Sequence, residues 1–183
     1  MKKTVFQNSK NSIILKLCIT AVMAALFVLL DLVSLKINNN IKITFGGLPI
    51  LIAAMVCGPL WGGLAGFVGS FIAQCLSFGL SATTLLWVLP AFARGLIAGL
   101  LFIALYNKMK LQYNLLITVV VSSLVVTALN TLSIFIDSKI YGYYSIAVVF
   151  GQTAFRVVSS VLTSIAYIIL LLPILQAVKK ILK

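Results

Sequence analysis

Long apolar blocks alternate with short polar gaps along this chain, and about 20 apolar residues are what an α-helix needs to cross the roughly 30 Å of bilayer hydrocarbon. The pattern predicts a first span from about Lys16 to Lys36 and a polar loop from Lys36 to Gly47 that contains Asn38-Asn39-Asn40. A short apolar segment follows, then a third block from Leu60 to Phe78, a turn over Gly79 to Thr83, and a fourth block from Thr84 to Tyr106. Asn114 to Ile136 reads as a fifth span and Asp137 to Ser145 as a polar, tyrosine-rich loop. The last block runs from Ile146 to Val178, with Pro173 near its end. No internal repeat and no linker divides the chain, so the expectation is an all-α integral membrane protein with six transmembrane helices in a single domain, residues 1–183.

The stretch from Ile41 to Gly63 departs from this rhythm. It opens on Phe45-Gly46-Gly47 and closes on Gly58-Pro59-Leu60-Trp61-Gly62-Gly63. Only the ten residues from Leu48 to Cys57 lie between, about 15 Å of helix, half of what the hydrocarbon requires. Backbone that turns at membrane depth is tolerated where protein buries it or where it lines a cavity, so this stretch points to a binding site. Pro59 breaks the helix and Trp61 suits the bilayer interface. The next two blocks carry small residues every four positions: Gly62/Gly66/Ser70 and Ala65/Gly69/Ala73, then Ala91/Gly95/Gly99. Such rows cut a groove along a helix and allow close packing.

Charge fixes an orientation. With six spans, nine lysines (Lys2, Lys3, Lys10, Lys16, Lys108, Lys110, Lys179, Lys180, Lys183) fall on the side of the termini and three (Lys36, Lys42, Lys139) on the other. The positive-inside bias therefore places both termini in the cytoplasm of a multi-pass cell-membrane protein. The polar start is followed by an apolar run too long for a cleavable leader, so the first span is expected to remain.

Composition narrows the chemistry. The 183 residues are 62% hydrophobic and 9% charged, with a net charge of +12. The lysines sit at span ends and form no stripe, which fits topology better than nucleic-acid binding. There is no His, and Asp31 and Asp137 are the only acids, an inventory that disfavours acid–base catalysis, a His metal site and an enzyme of any kind; no cofactor is expected. No P-loop motif is present, so work against a gradient must draw on a partner or a co-transported ion. Cys18, Cys57 and Cys75 are widely spaced in apolar sequence and read as packing residues.

Two charges are not explained by topology. Arg94 and Arg156 each fall about ten residues from the outer end of their predicted helices, roughly 15 Å deep, where arginine costs a few kcal/mol or more unless its surroundings are polar. Asp31 is the only acid inside the predicted spans, so at least one guanidinium lacks a protein partner. A ligand carboxylate would fill that role; solvation by carbonyls and water, or snorkelling, is the structural alternative. Gln74, Trp87, Asn130 and Gln152 fall in the outer halves of their spans, on the side of the Phe45-Gly46 turn, where they could line a pocket for a flat heterocycle. Hydrogen bonding between helices serves Asn and Gln equally well.

The run KITFGGLPILIAAMVCGPLWGGLAGFVGS, with Ala21 and Ala25 upstream and Arg94-Gly95-Leu96-Ile97-Ala98-Gly99-Leu100 downstream, resembles the substrate-binding S components of energy-coupling factor (ECF) transporters, the folate group most of all. The resemblance implies a small membrane protein that captures a vitamin from outside and works with a coupling membrane subunit and two ATPases. It assigns Ala21 and Ala25 to the coupling-subunit interface, and it makes the loop Ile37 to Gly47 a cover over the substrate. The folate-like pattern carries an acid in the third helix; here Gly69 to Gln74 holds none. Folate remains the foremost expectation, with a smaller acid such as pantothenate beside it. A stand-alone permease driven by an ion gradient through Asp31 is the rival from another class.

Overall fold

The computed structural model describes residues 12–38, 41–106, 108–151 and 153–181. Five stretches are long and apolar enough to span a bilayer: Ile13–Leu32, Pro59–Phe78, Thr84–Leu105, Leu111–Ile140 and Ile146–Ala177. One further apolar helix, Gly47–Cys57, is too short to span, as its sequence predicts. In chain order the elements are α1 (Ser12–Leu32), β1 (Leu35–Asn38), β2 (Ile41–Ile43), α2 (Gly47–Cys57), α3 (Pro59–Phe78), α4 (Thr84–Leu105), α5 (Leu111–Ile140), α6 (Ile146–Val149) and α7 (Thr153–Ile181). The helices alternate in direction, so β1, β2, the α4 start and α6 share one end of the bundle, here the hairpin end.

Three boundaries differ from the sequence reading. The expected polar loop contains an antiparallel pair of short strands, with Leu35 opposite Ile43 and Lys36 opposite Lys42. The fifth helix continues to Ile140, so Asp137 lies on a helix and not in a loop. The last block is broken: α6 is four residues long, and Phe150 and Gly151 turn the chain before α7 starts at Thr153.

At the centre lies α2, packed against α1, α3 and α4 and touching α7. Nine of its eleven residues are buried, from Gly47 through Cys57, which is why it is apolar on every side and shows no polar stripe. Gly58, at φ 111°, adopts a conformation that side chains with a Cβ rarely take, and it joins α2 to α3. Pro59 occupies the first turn of α3, where its missing N–H removes nothing from the helix.

Two of the small-residue rows meet face to face, while Gly69 of the third lies against Ala24 and Phe27 of α1. A Cβ on Gly66 would overlap the Ala91 carbonyl, one on Gly95 the backbone of Gly62, and one on Gly99 the backbone of Pro59. The α3–α4 seam is therefore backbone against backbone. Leu51, Ala54, Met55, Ala98, Phe102, Leu115, Val119, Tyr167, Leu171 and Leu175 form the main core, with Trp61 packed partly buried against it.

Polar side chains close the remaining gaps. Pro90 cannot donate to the Leu86 carbonyl one turn back, and the Ser133 hydroxyl of α5 donates to that oxygen at 3.0 Å. Near the other end of the same interface, Asn114 Nδ2 donates to the Phe102 carbonyl at 3.0 Å and the Thr118 hydroxyl to Asn114 Oδ1 at 3.1 Å.

Candidate binding site

Where the hairpin descends into α2, the segment Thr44 to Gly47 is fixed from three sides. Thr44 Oγ1 donates to the Leu30 carbonyl of α1 at 3.2 Å and accepts from the Gly46 N–H at 3.0 Å. The Tyr167 hydroxyl of α7 donates to the Thr44 carbonyl at 2.8 Å. Phe27 of α1 lies within 3.2 Å of where a Gly46 Cβ would be. The Phe45 ring stands edge-on to Tyr167, 6.4 Å between centroids, with nearly half of its surface exposed.

Arg94 reaches this segment from α4. Its guanidinium occupies the position a Gly47 Cβ would take, so any larger residue there would have to displace Arg94. The same group lies over the Tyr167 ring, 5.9 Å from the centroid, a cation–π contact. Arg94 Nε is buried without a hydrogen-bond partner. A helix start ordinarily exposes unpaired N–H groups, but here Gly46 N is taken by Thr44 Oγ1, Leu48 N by the Phe45 carbonyl at 3.0 Å, and Pro49 has none. The positive end of α2 and a guanidinium thus meet on a floor whose backbone donors are largely used.

A second cluster lies toward the hairpin end. Arg156 is 9% exposed, and its Nη1 donates a long hydrogen bond, 3.5 Å, to the Val149 carbonyl. Its Nε and Nη2 are buried and have no hydrogen-bond partner among the described residues. The sequence reading put Arg156 ten residues into a continuous helix; the break after α6 instead places it in the first turn of α7. It precedes Tyr167 by eleven residues, so Arg156 stands about 16 Å of helix axis away from the Arg94 level.

Asp137, also buried at 8% exposure, accepts hydrogen bonds from Trp87 Nε1 at 3.3 Å and from the Tyr143 hydroxyl. In the connection after α5, partial burial, followed by the Asp137 carboxylate, pushes the Tyr143 phenol up to about 12. Lys139 lies over Tyr144 at 4.4 Å, and Tyr144 packs edge-on to Phe135 at 5.7 Å. The tyrosine-rich connection is in this way folded back onto the end of α5.

Of the residues singled out in the sequence, Phe45, Gly46 and Arg94 come together on the floor. Arg156 and Trp87 belong to the upper level. Gln74 on α3 and Asn130 on α5 are half-buried and belong to neither hydrogen-bonded cluster, and Gln152 lies outside the described residues. Ala21 and Ala25 are exposed on α1, while Thr20, Ala24 and Phe27 turn inward.

Tyr167, Thr44, Asp137 and Tyr143 were missed. A tyrosine inside an apolar helix carries a hydroxyl that must find a partner, and that requirement marks Tyr167. Asp137 was placed outside the spans, although no Gly or Pro ends the helix before it.

The family model described as "ECF transporter, substrate-specific component" matches residues 15–174. Among solved structures, one described as "Structure and mechanism of the S component of a bacterial ECF transporter" superposes with a TM-score of 0.62 at 22% identity, over 90% of this chain and 97% of the other. At that identity the likeness speaks to the fold. A search of curated proteins returned no match. On the strength of the family match, which spans most of its length, this chain belongs to the substrate-specific components of ECF transporters, multi-pass membrane proteins that bind a transport substrate and are not enzymes.

Proposed function

We propose that this chain captures an anionic vitamin, folate foremost and pantothenate next, at its hairpin end. Members of its family bind a small-molecule vitamin and work with a module made of a membrane subunit and ATPases. The hairpin end faces the outside and both termini face the cytoplasm, an assignment supported by the nine-to-three lysine bias. One observation carries the reading: Arg94 and Arg156 hold buried guanidinium nitrogens without hydrogen-bond partners among the described residues in a chain with only two acids. Leaving such groups unmatched is unfavourable, and a carboxylate resolves the imbalance.

Phe45 and Gly46 on the floor and Trp87 on the upper level, with Gln74, Asn130 and Gln152 as further contacts, supply the aromatic and amide surface for the rest of the ligand. The exposed Ala21/Ala25 face of α1 docks on the coupling membrane subunit, where small side chains permit close helix approach. The whole chain acts as one transmembrane domain. Family membership leaves the ion-driven permease centred on Asp31 without support.

Mass spectrometry of the small molecule that co-purifies with the detergent-solubilised protein tests this directly, the expected result being an organic acid. Titration with folate and pantothenate, followed through Trp87 emission, gives a second readout. A neutral or cationic co-purifying vitamin, together with no response to either acid, would overturn the proposal.

A further inference from the structure

The two arginines are not equivalent, and this inference rests on the anionic-ligand reading above. A guanidinium binds a carboxylate best through two parallel N–H bonds, and one of the edges that can do so is formed by Nε and Nη2. In Arg156 that edge is the unpartnered one. Nη1 is turned back to the Val149 carbonyl, while Nε and Nη2 are both buried without a partner on a side chain that is 9% exposed. Arg156 also sits in the first turn of α7, a helix of 29 residues, whose positive end favours an anion and disfavours an unmatched cation.

Arg94 has a different setting. Its guanidinium is wedged against Gly47 and over the Tyr167 ring. Beside it the Gly46 and Leu48 N–H groups are taken by Thr44 and Phe45, and Pro49 has none. Tyr167, which it covers, holds the Thr44 carbonyl. Arg94 therefore braces the segment that carries Phe45 and Gly46. The two levels, about 16 Å apart along α7, are too far separated for one carboxylate to bridge.

We infer that Arg156 is the fork that grips the carboxylate of the ligand at the α6–α7 junction, and that Arg94 is a positioning residue that holds the Thr44–Gly47 floor. The ligand accordingly lies with its acid at the hairpin end and its uncharged part toward Phe45.

The test compares each acid with its own primary amide, using folate and folate diamide, and pantothenate and pantothenamide, by Trp87 emission or calorimetry. Wild-type protein is expected to favour the acid of its cognate pair by on the order of 30-fold, the range of a lost charge-assisted hydrogen bond. Arg156→Met brings that ratio close to one, and Arg156→Lys, which keeps the charge and loses the fork, leaves an intermediate ratio. Arg94→Met weakens acid and amide by similar factors and keeps their ratio. If the acid preference survives Arg156→Met and collapses in Arg94→Met, the assignment is reversed and the anionic-ligand reading stands. If neither acid is preferred over its amide by the wild type, the inference fails together with the reading beneath it. Unchanged amide affinity in Arg156→Met shows that the variant is folded; if both substituted proteins lose the amide as well, the division of roles is refuted.

Discussion

Between α3 and α4 backbone lies close on backbone where Gly66, Gly95 and Gly99 face Ala91, Gly62 and Pro59, with the Phe67 and Phe92 rings packed edge-on beside that line. Around α7 the arrangement is reversed: that helix is held through long side chains, with Tyr167 reaching Thr44 and Leu171 and Leu175 entering the core. Of the most apolar window in the α6–α7 stretch 17% is buried, against 39% for α3. A glycine seam has one geometry, since any displacement opens a gap or a clash. A helix attached by flexible side chains can shift by rotamer changes alone. The two arginines are distributed accordingly: Arg94, which braces the floor, stands on α4 in the glycine-packed pair, and Arg156, which meets the ligand, on α7.

Three substitutions probe that contrast. Gly95→Leu drives a side chain into the Gly62 backbone and is expected to destabilise the bundle by about 3 kcal/mol, read as a large fall in the detergent melting temperature. A melting temperature close to wild type would show that the seam can part. Tyr167→Phe removes the bond to the Thr44 carbonyl, worth about 1 kcal/mol, and faster hydrogen exchange is expected at Gly46 and Leu48 with little change in α3 and α4. Uniform acceleration across the bundle would mean that α7 is not the separately held part. The smallest effect is expected for Ser133→Ala, which leaves the Leu86 carbonyl without the donor that replaces the one missing at Pro90, at about 0.6 kcal/mol. In a Pro90→Ala background the same change should be silent, because the restored backbone N–H bonds that oxygen; a double-mutant cycle showing additive losses would contradict this account.

Much of the rigid half was legible from spacing alone. Gly62/Gly66 and Ala91/Gly95/Gly99 recur at the helical period, and such rows can only be seam positions. The shortness of α2 followed from the distance between Gly47 and Gly58. The adjustable half was harder to read. Gly151 sits in an apolar run where glycine is compatible with a continuing helix, so nothing announced the break that moves Arg156 from mid-helix to a first turn. The β1–β2 pair was obscured by three consecutive asparagines, residues that favour turns and conceal the alternation of Leu35 with Ile37 and Ile41 with Ile43. The Asp137–Trp87 bond joins residues fifty apart, and no local pattern encodes a pairing of that kind.

The brevity of α2 also has a bearing on which molecules fit. Its eleven residues rise about 16 Å, while the 20 and 22 residues of its neighbours α3 and α4 rise about 30 Å or more. A cross-section taken toward the chain termini cuts six rods; one taken toward the hairpin cuts five, with two thin strands in the place of the sixth. The depth of the Thr44–Gly47 floor below the hairpin end is governed by how many turns that rod lacks, so lengthening or shortening α2 by a turn ahead of Gly47 would change the distance from the floor to the Arg156 level without altering Arg94 or Arg156.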